Sequence, residues 1–311
     1  MPPNKLEDRL AIIDLGSNTF HLLIVEKQNE APGFRELYRE RQFLYISSDG
    51  LSRIPEVKLN AALDCLRQYR EVIDQFNCQG VTAVGTAMLR SASNGHQLID
   101  RIYEETGIEL KLISGEREAQ LIYEGNRLLQ LQCPRPSLIM DIGGGSVEFI
   151  IQSAGSKDIL EFQSHNIGIS VLRKSFELGD PVSEYERKLL FESLDNTLDE
   201  LVYICNEVNT GLLIGSSGPF EILESMMGHK SSPRGNVYDV NSVLPIKSRI
   251  LQSDKSQRTR LPGMPAHRAD LAKESFLLID YVLSKVTGLQ ELVVSPYALK
   301  EGLISEYFKF N

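Results

Sequence analysis

The stretch M-D-I-G-G-G-S-V-E-F-I-I, from Met140 to Ile151, places three consecutive glycines between two apolar runs. A looser copy, I-I-D-L-G-S-N-T-F-H-L-L-I-V, runs from Ile12 to Val25. When Asp14 is aligned with Asp141, the aspartate, the first glycine, a hydroxyl residue and the apolar tail all match. This repeat predicts two domains of like topology, each beginning with a strand, a tight turn and a second strand.

The glycines of the two turns predict a backbone that binds phosphate. A tight turn between strands often needs a positive φ, which glycine adopts cheaply, and glycine also lets backbone N–H groups approach a ligand closely. Successive N–H groups in such a turn form a concavity that binds anions. An ordinary glycine-rich hairpin is the alternative, and the aspartate beside each turn favours the phosphate interpretation.

Asp141 and Glu148 predict a Mg²⁺ site beside the second turn. A carboxylate next to a phosphate repels it unless a cation lies between them. Mg²⁺ is suited to that place because it binds one or two carboxylates together with phosphate oxygens and water. Glu148 interrupts an otherwise apolar strand, V-E-F-I-I, which argues against a merely solvated side chain.

The composition describes an ordinary globular protein that is acidic overall. The chain has 311 residues, of which 42% are hydrophobic and 24% charged, and this length suits two domains. A formal net charge of −9 argues against a broad nucleic-acid surface. No apolar run approaches the ~18–20 residues needed to span a membrane, and the N-terminus lacks the apolar core of a signal peptide. We therefore expect a cytoplasmic protein that binds neither nucleic acid nor membrane.

The succession of elements predicts an α/β architecture in both halves of the chain. Helical periodicity marks residues 57–76 and 184–208, while residues 228–268 are polar and are predicted to be rich in loops. The stretch L-Q-C-P-R-P-S contains two prolines and is the best candidate boundary. The predicted domains are accordingly 1–130 and 131–311, with the last helix able to pack back on the first domain.

The sequence resembles the exopolyphosphatase / guanosine pentaphosphate phosphohydrolase family, within the superfamily of actin-like ATPases, sugar kinases and Hsp70 chaperones. The matching stretches, in family order, are A-I-I-D-L-G-S-N-T-F-H-L-L-I, V-G-T-A-M-L-R-S-A-S-N, I-S-G-E-R-E-A-Q-L-I-Y-E-G, L-I-M-D-I-G-G-G-S-V-E-F, L-I-G-S-S-G-P-F-E-I-L, R-A-D-L-A-K-E-S-F-L-L-I-D and L-V-V-S-P-Y-A-L-K-E-G-L-I. The resemblance, which is to the short two-domain members, implies two ribonuclease-H-like domains flanking a cleft. It also implies hydrolysis of the terminal phosphate of a phosphoanhydride chain.

The resemblance also implies roles for individual residues. Glu118, in S-G-E-R-E-A, matches the family's catalytic base, which orients and deprotonates the attacking water. Arg90 matches an arginine that contacts phosphate, and Glu148 an acidic residue associated with the divalent metal. The positions that match the two phosphate-binding turns are Asp14, Gly16, Ser17 and Asn18 in the first turn and Asp141, Gly143, Gly144, Gly145 and Ser146 in the second.

Three positions depart from the family's pattern. Arg117 replaces an acid that is common before the catalytic base, and its side chain either favours the charged form of Glu118, contacts substrate or points to solvent. Ala298 and Lys300 stand where glycine and arginine are common. We expect this last segment to serve packing and chain return more than chemistry.

The predicted function is a Mg²⁺-dependent exopolyphosphatase that releases orthophosphate from inorganic polyphosphate, with guanosine pentaphosphate as a second substrate. Two alternatives stay open: a non-catalytic sensor of such nucleotides, which keeps the turns but does not need Glu118, and a small-molecule kinase of the same superfamily. The stretch from Lys247 to Arg268 contains six lysine and arginine residues and one acidic residue. It is therefore either a binding path for a polyanion or a solvated loop. A homodimer is likewise left open.

Overall fold

The computed structural model describes residues 8–131, 133–155 and 158–310. The chain forms two compact units. The first takes its described residues from Met1–Leu128, Gly143–Gly145 and Leu299–Asn311, and the second from Leu129–Ile142 and Ser146–Ala298. The three glycines of the second turn and the C-terminal segment therefore belong to the first unit.

The helices and strands alternate along the chain as expected of an α/β protein. As far as Asn126 they are β1 (Arg9–Leu15), β2 (Thr19–Lys27), β3 (Phe34–Phe43), α1 (Glu56–Gln75), β4 (Gly80–Gly85), α2 (Ala87–Ser91), α3 (Gly95–Thr106), β5 (Leu110–Leu112) and α4 (Gly115–Asn126). From Ser137 onward they are β6 (Ser137–Ile142), β7 (Val147–Gln152), β8 (Ile159–His165), α5 (Ile169–Ser175), α6 (Glu184–Glu207), β9 (Leu212–Ser216), α7 (Gly218–Met226), β10 (Asn236–Asp239), α8 (Val240–Leu251), α9 (Lys255–Thr259), α10 (Ala272–Lys285), β11 (Glu291–Val294) and α11 (Leu299–Phe308).

Each unit contains one mixed sheet, and the two sheets share a strand order. The first sheet has the order β3-β2-β1-β4-β5, and the second the order β10-β11-β9-β6-β7-β8. In both, an antiparallel set of three strands continues into parallel strands: β1 pairs in parallel with β4, and β6 with β9. This common order confirms the predicted fold class of two like α/β domains.

The register of the first two strands in each sheet confirms the sequence repeat. Asp14 lies directly opposite His21 in the antiparallel pair of β1 and β2. Asp141 lies directly opposite Glu148 in the pair of β6 and β7. The two hairpins therefore match residue by residue, as the alignment of the two aspartates requires.

In each unit, helices pack against the sheet and bury its hydrophobic side chains. Fully buried residues of β1 and β2 pack with buried positions of α1 and α3 in the first unit. In the second unit, β6 and β7 pack with α6 and α10. Burial on this scale holds the strand ends, and hence the turns that follow them, in fixed positions. Within the described ranges, every helix is too short or too polar to cross a lipid bilayer.

The sequence-based expectation for residues 228–268 is wrong in large part, because β10, α8 and α9 lie there. Helix α8 begins after Asp239, whose side chain caps it by accepting a hydrogen bond from a backbone N–H. Pro245 inside the helix and the polar residues around it obscure the periodicity. The buried residues of α8 are Val243, Ile246 and Ile250.

The cations of the basic stretch are largely neutralised within the second unit. Four of them form ion pairs with carboxylates: Lys247 with Asp280, Lys255 with Asp270, Arg258 with Asp180 and Arg268 with Glu221. Arg258 is almost fully buried and also donates to the carbonyl oxygens of Ser253 and Ala269. These contacts favour a structural role for the stretch over a path for a polyanion.

We expect Asp180→Asn to destabilise the second unit by about 3 kcal/mol, because it removes the charged partner of the buried Arg258 guanidinium. The Arg258 side chain is 1% exposed and donates to both carboxylate oxygens of Asp180, at 2.6 and 3.0 Å. Urea unfolding at pH 7 measures the loss. Glu192→Gln is the matched control, since it removes a pair with Lys188 that is exposed and 3.8 Å long and should change stability by less than about 0.5 kcal/mol. Equal losses in the two variants would contradict this role for Asp180.

The pair of Asp180 and Arg258 also predicts how the stability of the second unit depends on pH. Burial raises the pKa of Asp180, but the hydrogen bonds and positive charge of Arg258 lower it by more, so it lies below its ordinary value of 3.8. A group whose pKa is lower in the folded state contributes its full stability above the unfolded pKa and loses it as pH falls through the folded pKa. Below about pH 4 the wild-type advantage over Asp180→Asn should therefore shrink.

Candidate functional site

The turn between β1 and β2 is held in one conformation by backbone and side-chain hydrogen bonds. The Gly16 N–H donates to the Thr19 carbonyl at 3.1 Å and closes the turn. Ser47 donates twice: its N–H to the Ser17 carbonyl at 3.1 Å and its hydroxyl to Oδ1 of Asn18 at 2.9 Å. A turn anchored in this way presents its backbone to a ligand without further ordering.

The turn between β6 and β7 meets the first turn inside the first unit. A Cβ atom at Gly144 would lie 2.6 Å from Nδ2 of Asn18, and one at Gly145 would lie 2.7 Å from Oγ of Ser17. The structure therefore brings the tips of the two predicted phosphate turns together. This closeness is what allows the backbone N–H groups of the two turns to bind one phosphate chain together, as we propose below.

The reason for these glycines differs from the one the sequence predicts. The sequence predicts a positive φ for the glycines of the turns. Gly16, Gly144 and Gly145 do not adopt a positive φ, so this expectation is wrong for them. Close approach demands them instead, because a Cβ at Gly145 would also lie 2.8 Å from Cβ of Ala87. Any side chain at this position forces the neighbouring backbone to move.

Asp141 and Glu148 form a buried pair of carboxylates. They are directly opposite each other in the antiparallel ladder, which places their side chains on the same face of the sheet. Asp141 is 8% exposed and Glu148 1%, and Oε1 of Glu148 accepts a hydrogen bond from Oγ of Ser164 at 2.8 Å. Glu148 is thus an oriented, buried acid. Ser164, which lies on β8, has no signal in the sequence analysis.

This pair fits a small divalent ion better than a protein-only metal cage. Among the residues that the structure describes, no group of three or more His, Cys, Asp or Glu side chains is placed to hold a metal. Mg²⁺ takes one or two carboxylates and fills its remaining positions with water and phosphate oxygens. The donor set of Asp141 and Glu148 is therefore compatible with an ion that also binds a phosphate ligand.

Glu118 is a buried carboxylate fixed by an arginine. It lies in the first turn of α4, which begins after Ser114, the residue whose hydroxyl caps the helix by accepting from the Arg117 N–H. Nη1 of Arg90 donates to Oε2 of Glu118 and to the carbonyl of Ile113, each at 2.9 Å. The structure therefore brings together the two residues for which the resemblance implies chemistry.

Helix α2 connects this acid to the second turn. Ala87, at its start, is the residue that leaves no room for a Cβ at Gly145. Arg90, three residues later, holds Glu118. Residues three apart lie on one side of a helix, so one rigid turn of α2 sets both contacts.

Arg117 contacts the C-terminal helix α11. Its guanidinium pairs with Glu306 of α11 and donates to Oε1 of Gln120 at 3.4 Å. Of the three alternatives left open by the sequence, none describes this contact, which ties α4 to the C-terminal helix.

Asp14 has a cation partner from the other end of the chain. Nζ of Lys300 lies 4.0 Å from Oδ2 of Asp14, and both residues are buried. Burial raises the pKa of Asp14, the charge of Lys300 lowers it and that of Glu301 raises it, with a raised pKa as the result. The segment of Lys300 is expected from the sequence to serve packing and chain return, and the structure adds a charge contact with Asp14.

Comparison with protein families and curated proteins gives a consistent answer. The model of the Ppx/GppA phosphatase family matches residues 23–309. A guanosine-5'-triphosphate,3'-diphosphate pyrophosphatase of Aeromonas hydrophila is 26% identical over 295 residues, which are 94% of this chain and 58% of that protein. Exopolyphosphatase 1 of Mycobacterium bovis is 25% identical over 303 residues, 95% of this chain and 87% of that protein. The chain thus spans little more than half of the first relative and most of the second.

Solved structures agree with these sequence matches. An exopolyphosphatase from Cytophaga hutchinsonii is 33% identical, with a TM-score of 0.88 over 97% of this chain and 99% of that one. A PPX-GPPA enzyme of Aquifex aeolicus is 22% identical, with a TM-score of 0.79 over 96% of this chain and 99% of that one, and supports the fold alone.

Proposed function

The chain belongs to the Ppx/GppA phosphatase family, and we propose that it hydrolyses the terminal phosphoanhydride bond of inorganic polyphosphate to release orthophosphate. Membership confirms the resemblance drawn from the sequence and the general class of hydrolase. Guanosine pentaphosphate, which ends in the same kind of bond, is the proposed second substrate. The names of the Mycobacterium and Aeromonas relatives support the two substrates respectively.

The observation that carries this proposal is the buried Glu118 carboxylate held by Arg90. An acid at the start of a helix often does no more than complement the helix dipole, and such an acid is exposed. Glu118 is 8% exposed and has a guanidinium donor at 2.9 Å, so its orientation is set before any ligand arrives. The same compact unit contains the first turn and the three glycines of the second.

These residues account for the steps of an in-line hydrolysis. The oxygen of a water attacks the terminal phosphorus, and the bond from that phosphorus to the bridging oxygen breaks. Glu118 orients the water and accepts its proton, while the shortened phosphate chain leaves with the bridging oxygen and its negative charge. Phosphoryl transfer needs positioning and charge neutralisation more than covalent participation by the protein. The backbone N–H groups of the two turns and the Arg90 guanidinium provide both.

Asp141 and Glu148 are proposed to hold the metal. Phosphatases of this family generally need a divalent metal, and Mg²⁺ is our choice because the donors are two carboxylates. When bound, the ion supplies neutralisation of the phosphate charge. Ser164 keeps Glu148 oriented for this role, since its hydroxyl donates to Oε1.

The alternatives make different use of the same residues. A sensor keeps the turns and has no use for an oriented, buried Glu118. A kinase needs a pocket that binds an acceptor in place of the attacking water. Family membership favours neither of them.

Parallel kinetics on long-chain polyphosphate, tripolyphosphate and guanosine pentaphosphate test the proposal. With Mg²⁺ present we expect the protein to release orthophosphate from polyphosphate and from guanosine pentaphosphate. EDTA should lower the rate of release at least a hundredfold, and excess Mg²⁺ should restore it fully. Binding without release from any of the three would favour the sensor. Phosphate transfer to an added acceptor in place of water would favour the kinase.

Homodimerisation and a cytoplasmic location stay predictions. Light scattering at micromolar concentration gives the mass of the particle directly. Fractionation of cells that express the chain at its natural level gives the compartment.

A further inference from the structure

We propose that Lys300 balances the charge of Asp14, so that the first phosphate turn uses a cation of the protein where the second turn uses a divalent ion. The inference rests on the proposed function, because it assigns a role within the same site. It makes Lys300 a positioning residue: it acts on the phosphate chain through Asp14.

The need for a cation follows from the chemistry of the first turn. Asp14 directly precedes the turn and is buried, 9% exposed. A buried carboxylate beside a phosphate chain repels it unless a positive charge lies close by, and the repulsion is strong where water is excluded. The equivalent residue of the second turn, Asp141, has the acid Glu148 opposite it, whereas Asp14 has His21. The acidic pair that suits a metal ion is therefore confined to the second hairpin.

Lys300 is placed to meet that need. Its Nζ lies 4.0 Å from Oδ2 of Asp14, and the residue is only 8% exposed. The next residue, Glu301, is 1% exposed and accepts from Nη2 of Arg39 at 3.4 Å. Glu301 thus has a cation partner of its own in Arg39. Loss of the Lys300 charge removes the positive charge that this contact brings to Asp14.

The position of Lys300 is fixed by the packing of its helix. Helix α11 packs against both β1 and α4. At Gly302, one turn into α11, a Cβ would lie 1.9 Å from the carbonyl oxygen of Leu121, so the backbones of α11 and α4 are in direct contact. The backbone at Lys300 therefore cannot move away from Asp14 without disturbing α4, the helix that carries Glu118.

Binding of tripolyphosphate, measured by calorimetry in EDTA, tests the proposal without requiring turnover. Lys300→Met should weaken binding roughly tenfold, the scale of one charged contact. Lys300→Arg, which keeps the charge, should stay within about threefold of wild type. In the double variant Asp14→Asn/Lys300→Met the affinity should return to within about threefold of wild type, because the repelling charge is gone as well.

Lys27→Met is the matched control. This lysine also contacts α11, with Nζ 5.6 Å from the ring centre of Phe308, but it lies at the far end of β2. It should leave tripolyphosphate affinity unchanged. Melting temperatures of all variants separate binding from unfolding.

The outcomes distinguish this inference from the proposed function. If wild type releases no orthophosphate and the binding pattern still holds, the enzyme proposal fails and the role of Lys300 stands. If wild type is active but Lys300→Met binds tripolyphosphate as wild type does, the role of Lys300 is overturned. It is overturned equally if the loss in Lys300→Met persists undiminished after Asp14→Asn is added, since Lys300 would then not act through Asp14.

Discussion

Glu118→Gln should lower the rate of orthophosphate release by about 10²–10⁴-fold, the range that general-base catalysis contributes. The amide matches the carboxylate in shape and can still accept from Nη1 of Arg90, which in wild type donates at 2.9 Å. It cannot accept a proton from the attacking water. We therefore expect kcat to fall while tripolyphosphate affinity stays within about threefold of wild type.

Glu116→Gln controls for the loss of an acid at the start of α4. Glu116 lies in the same first turn but is exposed, so it complements the helix dipole without a fixed orientation. Its removal should change kcat by less than about twofold, because a dipole contact is worth only a few tenths of a kcal/mol there. Comparable rate losses in the two variants would show that Glu118 acts on the helix and not on the water.

Gly145→Ala should lower kcat/KM by about a hundredfold, because a displacement of about 1 Å in a positioning element costs that much. The new Cβ would lie 2.7 Å from Oγ of Ser17 and 2.8 Å from Cβ of Ala87. One of the two turns, or α2 with Arg90, has to move. Steady-state kinetics on tripolyphosphate with Mg²⁺ measure the effect.

Gly107→Ala separates this effect from a loss of stability. Gly107 ends α3 with a φ of +67°, and a Cβ there meets nothing within 4 Å. The substitution should cost about 1 kcal/mol of stability through backbone strain and leave kcat/KM unchanged. If Gly145→Ala kept wild-type kinetics, the contact between the two turns would have no part in catalysis.

The sequence predicts the buried strands of the two repeated hairpins, but it does not predict the strands at the edges of the sheets. The two hairpins are apolar, and the matched aspartates reveal their common register. Strand β3 (Phe34–Phe43) was missed because it reads F-R-E-L-Y-R-E-R-Q-F, and such charge is typical of an edge strand that must not pair with another chain. Strand β8, which reads I-L-E-F-Q-S-H and lies at an edge of the other sheet, was missed as well.

The site was predictable in its residue types but not in its connections. The glycines of the second turn were singled out correctly, although close packing against Ser17 and Asn18 requires them and positive φ does not. Glu118 was identified through the family resemblance alone, since an acid in the first turn of a helix is ordinary. The contact of Lys300 with Asp14 joins opposite ends of the chain, and no local pattern encodes such a pairing.

A structure of the Glu118→Gln variant with tripolyphosphate and Mg²⁺ tests the central claim most directly. We expect phosphate oxygens bound to the backbone N–H groups of residues 16–18 and 143–146, with Mg²⁺ beside Asp141 and Glu148. The terminal phosphorus should face the residue that replaces Glu118. Phosphates bound elsewhere on the protein, with neither turn in contact with them, would contradict the account.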